Sequence, residues 1–291
     1  MCHNRPQYLH KLLQSLSQVD GIQETLLIFS HDGFFPELDN TIQMASQQFP
    51  PHKILQLFHP YASDFFPNST LGRSVLRKSA ARRHFWWAWN VLFRSVLPQL
   101  FHQEGITNPV MLLLEEDHMV TKDAYYLLHH LLKTRQQKCE ECFSVNLGGA
   151  TGGFMDLEGA MDYEVGKMLS SNAGLAFYKS DFERILRDVE RWCGLDEYNW
   201  DWALFMLMQM GSIPGWTVGP ILGRVVHIGS CGMHHSLDDC DNKAEEHFLQ
   251  TLNQRFISES WFNAPEDITD YSIFVNLRLK GAKHSGYGGW I

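Results

Sequence analysis

The sequence has no apolar run long enough to cross a bilayer and no basic-then-apolar leader, so no segment of it reads as a membrane span or a signal peptide. It has no Walker-type loop and no Gly-x-Gly-x-x-Gly, which removes the fingerprints of ATP and dinucleotide sites. A His-Glu-x-x-His pattern is missing too, which weakens a zinc-protease reading. Internal repeats and low-complexity segments are absent. Positive charge is in short supply: 24 Lys and Arg against 33 Asp and Glu leave a net charge of −9. Nucleic-acid binders need a basic footprint, so that class is excluded. An anionic ligand would have to be held by local groups and a metal ion, not by a global positive field.

What the chain does have is apolar material. Its 291 residues are 44% hydrophobic and 13% aromatic, enough to bury a sizeable core. Residues 6–18 read as a helix, with Pro6 in its first turn and Leu9, Leu12, Leu13 and Leu16 on one face. Strands are expected at 25–29, 53–58, 110–114, 143–147, 175–178 and 273–277, with strand-like pieces between Thr217 and Ile228. Helices are expected at 84–102, 121–136, 181–192 and 199–210, while 60–80 reads as irregular, with a basic stretch from Arg73 to Arg83. Strands alternating with helices imply an α/β fold with a mostly parallel central sheet flanked by helices. Ligands of such sheets bind beyond the C-terminal ends of the strands. Two polar clusters sit at such ends, Asp32 and Glu115–His118.

Four features carry chemistry, each with a plainer alternative. Glu115-Glu116-Asp117-His118 follows an apolar run and could offer oxygen ligands to a hard divalent cation that also binds substrate phosphates; it could equally be a solvated loop. Asp201 lies between Trp200 and Trp202 at a helix start. Tryptophans stack on sugar rings and a carboxylate beside them can deprotonate a hydroxyl, yet on the residues alone a helix start with core tryptophans is the stronger reading. His227, His234 and His235 could ligate metal or be structural. Cys139 and Cys142 sit after a helix and before a strand, which favours a short structural disulfide over a zinc knuckle or a redox pair. The sequon Asn68-Ser69-Thr70 lends weak support to a secretory setting.

Taken in order, several blocks resemble one family over nearly the whole chain. They are His3-Asn4-Arg5-Pro6, Phe29-Ser30-His31-Asp32, His84 with Trp86 and Trp87, Leu114-Glu115-Glu116-Asp117-His118, Asn172 with Gly174-Leu175-Ala176, Tyr198-Asn199-Trp200-Asp201-Trp202, and His227 with Gly229, Cys231-Gly232-Met233-His234-His235. The pattern resembles the N-acetylglucosaminyltransferase II family. That resemblance implies a GT-A-type, Rossmann-like glycosyltransferase fold in a single catalytic domain over 1–291. It implies an inverting transfer of N-acetylglucosamine from UDP-GlcNAc to the 2-hydroxyl of the α-1,6-arm mannose of N-glycans.

By the same resemblance, Asp117 and His227 would hold Mn²⁺ and Asp201 would be the general base. His3, Asn4, Arg5, Asp32, Arg82, Arg83 and His84 would bind the nucleotide sugar. Glu115, Asn172, Tyr198 and Trp200 would contact the acceptor. Cys139–Cys142 and Cys231–Cys240 would be disulfides, as suits an oxidising lumen. A Golgi location follows, with a membrane anchor, a stem and most of the first strand expected upstream of this sequence; a homodimer is compatible with it. Between Phe58 and His84 the chain is shorter than the family, and it ends before the family's last cysteine, so Cys193 is expected to lack a partner. These departures keep an inactive or differently specific relative as the alternative function.

Overall fold

The structure, a computed structural model, describes residues 1–49, 53–62, 73–102, 104–149, 163–167, 172–195, 200–220, 223–229 and 273–274. The first expected helix is α1 (Pro6–Leu16), whose buried Leu9, Leu12, Leu13 and Leu16 form the expected stripe. A parallel pair follows, β1 (Leu27–His31) and β2 (Ile54–Phe58), with α2 (Pro36–Ser46) between them. Such a parallel pair requires a crossover, and α2 supplies it.

The next helix starts far earlier than its aromatic core suggests. α3 spans Arg73–Val91, passes through a π-helical turn at Leu92–Val96 and ends in α4 (Leu97–Phe101). The basic stretch Arg73–Arg83 is therefore helical and not irregular. The remaining elements are β3 (Val110–Leu113), β4 (His118–Val120), α5 (Ala124–Lys138), β5 (Cys142–Asn146), β6 (Tyr163–Lys167), β7 (Leu175–Tyr178), α6 (Lys179–Arg187), α7 (Val189–Gly194), α8 (Trp200–Gln209), β8 (Trp216–Pro220), β9 (Val225–His227) and β10 (Ile273–Phe274).

The six-stranded sheet has the order β10-β6-β8-β5-β7-β3. The expectation of a mostly parallel sheet is corrected here. β3–β7, β7–β5 and β6–β8 are antiparallel, and β5–β8 and β10–β6 are parallel. Two strands cause this: β7 inserts antiparallel between β3 and β5, and β6 runs antiparallel beside β8. Alternation of helices and strands along the chain carries no information about such an insertion.

Both faces of the sheet are covered, and single strands feed both layers. In β7, Leu175 and Phe177 join one buried cluster while Ala176 joins the other. In β5, Phe143 joins the first cluster and its neighbour Cys142 the second. Period-two alternation places successive side chains on opposite faces, and here both faces are apolar. The layer that α3, α6, α7 and α8 form on this face of the sheet is aromatic: Trp89, Phe93, Trp192 and Phe182, with Phe177 of β7, are all nearly inaccessible. Each fully buried ring or Leu contributes about 1.5–3 kcal/mol. That makes this layer a stiff base for whatever α3 and α8 present to the cleft.

Cys139 and Cys142 form a disulfide at the corner between α5 and β5, as expected. Cys193 is a free, exposed thiol and Cys2 a buried one. Among the described residues no helix is long and apolar enough to cross a membrane.

Candidate functional site

β3 ends at Leu113, and the chain turns back at once. The backbone N–H of His118 donates to Glu115 O at 3.1 Å, and the N–H of Glu115 donates to His118 Nδ1 at 3.1 Å. This closed turn delivers three carboxylates to one place. β4 then pairs with β9 so that His118 lies opposite His227. The amide of Ile228 donates to Asp117 O at 2.8 Å, extending that ladder to the turn itself. Pairing of β4 with β9 thus brings Asp117 and His227 together across more than a third of the chain.

The three acids differ in their surroundings. Glu116 is 2% exposed and faces the N-terminal segment: it accepts from Arg5 Nε at 2.6 Å and from the amide of His3 at 2.7 Å. Asp117 Oδ2 meets Arg5 Nη1 at 2.6 Å and His227 Nε2 at 3.0 Å. Asp117 Oδ1 is buried without a hydrogen-bond partner. Burial alone would raise the Asp117 pKa; the hydrogen bond and charge of His227, with Arg5, outweigh it and hold the carboxyl well below its usual range. The converse holds for His227: burial would lower its pKa, but Asp117 and Glu115 raise it. Glu115 is pushed up to about 7, first by burial and then by the charges of Asp117 and Asp201. The general-base candidate Asp201 is therefore within electrostatic reach of the acidic turn.

Gly229 permits this arrangement. A Cβ there would run into Asp117 Oδ2 and would lie 3.0 Å from both Asp117 Cγ and His227 Cε1. Gly174 does the same for the opposite wall. It has φ +68, and a Cβ would come within 2.9 Å of Val225 Cβ and 3.0 Å of Leu147 Cβ. That close approach seats Asn172, whose Nδ2 donates to Glu115 Oε1 at 3.3 Å.

A second polar pocket lies where β1 and β2 end. Cys2 bridges to β1 in parallel, with its N–H donating to Ser30 O at 2.8 Å and its carbonyl accepting from Asp32 N at 2.9 Å. This sets His3 beside Asp32: His3 Nδ1 lies 3.1 Å from Asp32 O and 4.0 Å from Asp32 Oδ2. Asp32 is 6% exposed, and its Oδ1 contacts His59 Nδ1 at 2.9 Å. Burial raises the Asp32 pKa, but the His59 hydrogen bond and nearby His84 and His3 lower it overall. His84 meets Ser30 Oγ at 2.8 Å and stacks on His59 at 5.3 Å. Burial pushes its pKa down to about 3, so the ring is neutral.

The expected site residues therefore fall into groups. Asp117, His227, Arg5, Glu115, Asn172 and Asp201 gather around the acidic turn. Asp32, His84 and His3 gather around the ends of β1 and β2. Asn4 and Arg83 are exposed. Trp200, expected to contact the acceptor, is 4% exposed and packed on Phe85 at 4.8 Å, in the aromatic core. It is the first residue of α8 and points inward, leaving Asp201 and Trp202 half-exposed. Arg82 is also turned inward, with its Nη2 donating to Trp192 O and its Nη1 to Leu195 O at 3.4 Å. Tyr198, Cys231 and Cys240 lie outside the described residues, as do His234 and His235. Glu116, His59 and Gly229 escaped the sequence reading. Glu116 and Gly229 stood inside quoted motifs, but only the fold reveals that Glu116 faces Arg5 and that Gly229 lies against Asp117 and His227; His59 carried no signal.

Among the described residues, no three His, Cys, Asp or Glu side chains converge as a ready-made metal cage. A bare buried carboxylate oxygen beside an imidazole nevertheless fits a divalent cation that takes its other ligands from a phosphate-bearing substrate. A sequence model described as N-acetylglucosaminyltransferase II (MGAT2) matches residues 1–75 and 73–291. The chain belongs to the N-acetylglucosaminyltransferase II family. Among relatives of this family, the alpha-1,6-mannosyl-glycoprotein 2-beta-N-acetylglucosaminyltransferase of Homo sapiens is 29% identical over 322 residues, which cover 99% of this chain and 69% of the human protein. The protein of that name from Sus scrofa is 32% identical over 320 residues, covering 98% of this chain and 69% of its own. The one from Arabidopsis thaliana is 30% identical over 322 residues, 99% of this chain and 70% of its own. Membership of the N-acetylglucosaminyltransferase II family places the acidic turn within a transferase chain, not a hydrolase.

Proposed function

We propose that this chain transfers N-acetylglucosamine from UDP-GlcNAc to the 2-hydroxyl of the α-1,6-arm mannose of N-glycans, with inversion, in a single GT-A-type domain. The observation that carries this reading is the juxtaposition of Asp117 Oδ1, bare and buried, with His227 on its sibling oxygen and Asp201 acting on the adjacent Glu115. Asp117 and His227 would hold Mn²⁺, which when bound supplies charge neutralisation to the departing UDP. Asp201, half-exposed on the first turn of α8, accepts the proton of the mannose 2-hydroxyl. That oxygen bonds to the anomeric carbon while the bond from that carbon to the diphosphate oxygen breaks. Arg5 supplies a fixed positive charge between Glu116 and Asp117 where a phosphate would lie. Asp32, His3 and His84 form a hydrogen-bonding pocket suited to the nucleoside. Glu115 and Asn172, hydrogen-bonded to each other, offer polar edges to acceptor hydroxyls. The protein would work in the Golgi lumen, with a Cys231–Cys240 disulfide and an anchor in the full-length form.

The test is transfer of labelled GlcNAc from UDP-GlcNAc to a glycan already bearing GlcNAc on its α-1,3 arm, with Mn²⁺ and with EDTA. Metal-dependent product on the α-1,6-arm mannose is expected. Folded protein that binds UDP-GlcNAc yet makes no product would overturn the assignment in favour of a non-transferring or differently specific relative.

A further inference from the structure

α3 faces two ways. His84 and Trp87 lie against His59 at the nucleoside pocket. Arg82, Phe85, Trp86 and Trp89 recur at helical spacing on the other side and meet α7 and α8. Arg82 is 8% exposed, and its guanidinium donates to the carbonyls of Trp192 and Leu195 and lies 5.9 Å over the Trp192 ring. Those carbonyls close α7, where backbone acceptors lack intrahelical partners and the helix end is negative. A planar cation with several fixed donors answers both needs, which a lysine ammonium cannot do in the same geometry.

α8 begins at Trp200, which stacks on Phe85 at 4.8 Å and sits edge-on to Trp89 at 5.6 Å. One helix thus grips the chain just before and just after residues 196–199: Arg82 holds Trp192 and Leu195, and Phe85 with Trp89 holds Trp200. The next residue is Asp201. A general base must reach its proton within hydrogen-bonding distance, and a misplacement of about 1 Å can cost on the order of 100-fold in rate.

We propose that Arg82 is a positioning residue for Asp201, tying the end of α7 to α3 so that the first turn of α8 is held at the cleft, and that it is not a ligand of the nucleotide. This rests on the reading of Asp201 as the base. The test measures UDP affinity by calorimetry, together with kcat and both KM values, for Arg82→Gln, Arg82→Lys and Asp201→Asn in the full chain. Arg82→Gln is expected to lower kcat by roughly 10- to 100-fold while UDP affinity and donor KM stay within about twofold of wild type, and Arg82→Lys is expected to fall between. UDP affinity reduced tenfold or more with kcat kept at saturating donor would make Arg82 a nucleotide ligand and overturn the inference. So would wild-type values of every parameter. If Arg82→Gln does not melt cooperatively, Trp200→Phe loosens the other grip and must show the same split, reduced kcat with unchanged UDP affinity. Wild-type turnover in Asp201→Asn would overturn the base reading itself, whatever the Arg82 variants show.

Discussion

Asp117 and Asp32 are both buried carboxylates, and they flank the same short segment, His3 to Arg5, yet their negative charge is met in different ways. Asp117 is met by charge: a guanidinium at 2.6 Å and a histidine whose pKa it raises. Its other oxygen is left bare. Asp32 is met by hydrogen bonding: His59 at 2.9 Å, backed by a neutral His84. The difference separates two tasks. Strong charge with an open oxygen suits a site that would take a cation, because such an ion would compete with a proton for His227. A carboxylate fixed by directional hydrogen bonds suits recognition of a particular arrangement of donors and acceptors on a ligand.

The harshest way to break this contrast is Asp117→Ala. It removes the bare buried oxygen proposed to take the metal and leaves Arg5 beside Glu116 alone. Transfer is expected to fall by about 1,000-fold or more, since Lewis-acid assistance is worth several kcal/mol, and UDP binding is expected to stop responding to Mn²⁺. Retained metal-dependent binding, read by calorimetry, would sink the assignment. Gly229→Ala is subtler, because the new Cβ presses on both Asp117 and His227. Mn²⁺ affinity, followed by electron paramagnetic resonance, is expected to drop about 10- to 100-fold, as when groups orienting metal ligands are altered. An unchanged titration would mean that the pair is free to shift.

At the other aspartate, His59→Phe leaves Asp32 without its 2.9 Å partner. UDP affinity is expected to weaken by about tenfold, the low end for losing a hydrogen bond to a buried charge, with kcat at saturating donor nearly unchanged. His59→Asn, which keeps a donor near the Nδ1 position, should recover part of it. Equal loss in both variants would show that ring packing, not the hydrogen bond, matters there. The smallest effect concerns Glu115. Its folded pKa of about 7 lies above the ordinary 4.5, so between those values the folded protein binds a proton that the unfolded chain has released. Stability from this group is present at acid pH and is lost as pH rises through about 7. Denaturant unfolding of the metal-free protein at about pH 5 and about pH 7.5 should show that decline, and Glu115→Gln should flatten it. A variant with the same slope as wild type would remove Glu115 as its source.

Much of the candidate site was legible because its chemistry is written locally. An apolar run ending in Glu115-Glu116-Asp117 announces carboxylates at a strand end, whereas Asp201 between two tryptophans read on its residues as a helix start and gained its expected role only from the family resemblance. What could not be read was facing and partnership. Trp200 and Arg82 belong to helices whose inward side is set by packing among α3, α7 and α8, which sequence spacing near a helix start does not determine. Sheet direction failed for a related reason: β5 lies between β7 and β8, and whether a distant strand pairs parallel or antiparallel depends on the path of the chain, not on its apolar pattern. The Cys139–Cys142 disulfide was readable because its partners are three residues apart.

The N-terminal segment joins the two pockets physically. Cys2 lies along β1, the amide of His3 donates to Glu116, and Arg5 reaches Glu116 and Asp117. Any ligand that gains affinity from Arg5 must, by thermodynamic reciprocity, tighten the docking of residues 1–5 by the same factor. The resistance of that segment to a protease therefore reports occupancy of the cleft, and a shift in its docking equilibrium is felt by donor and metal alike.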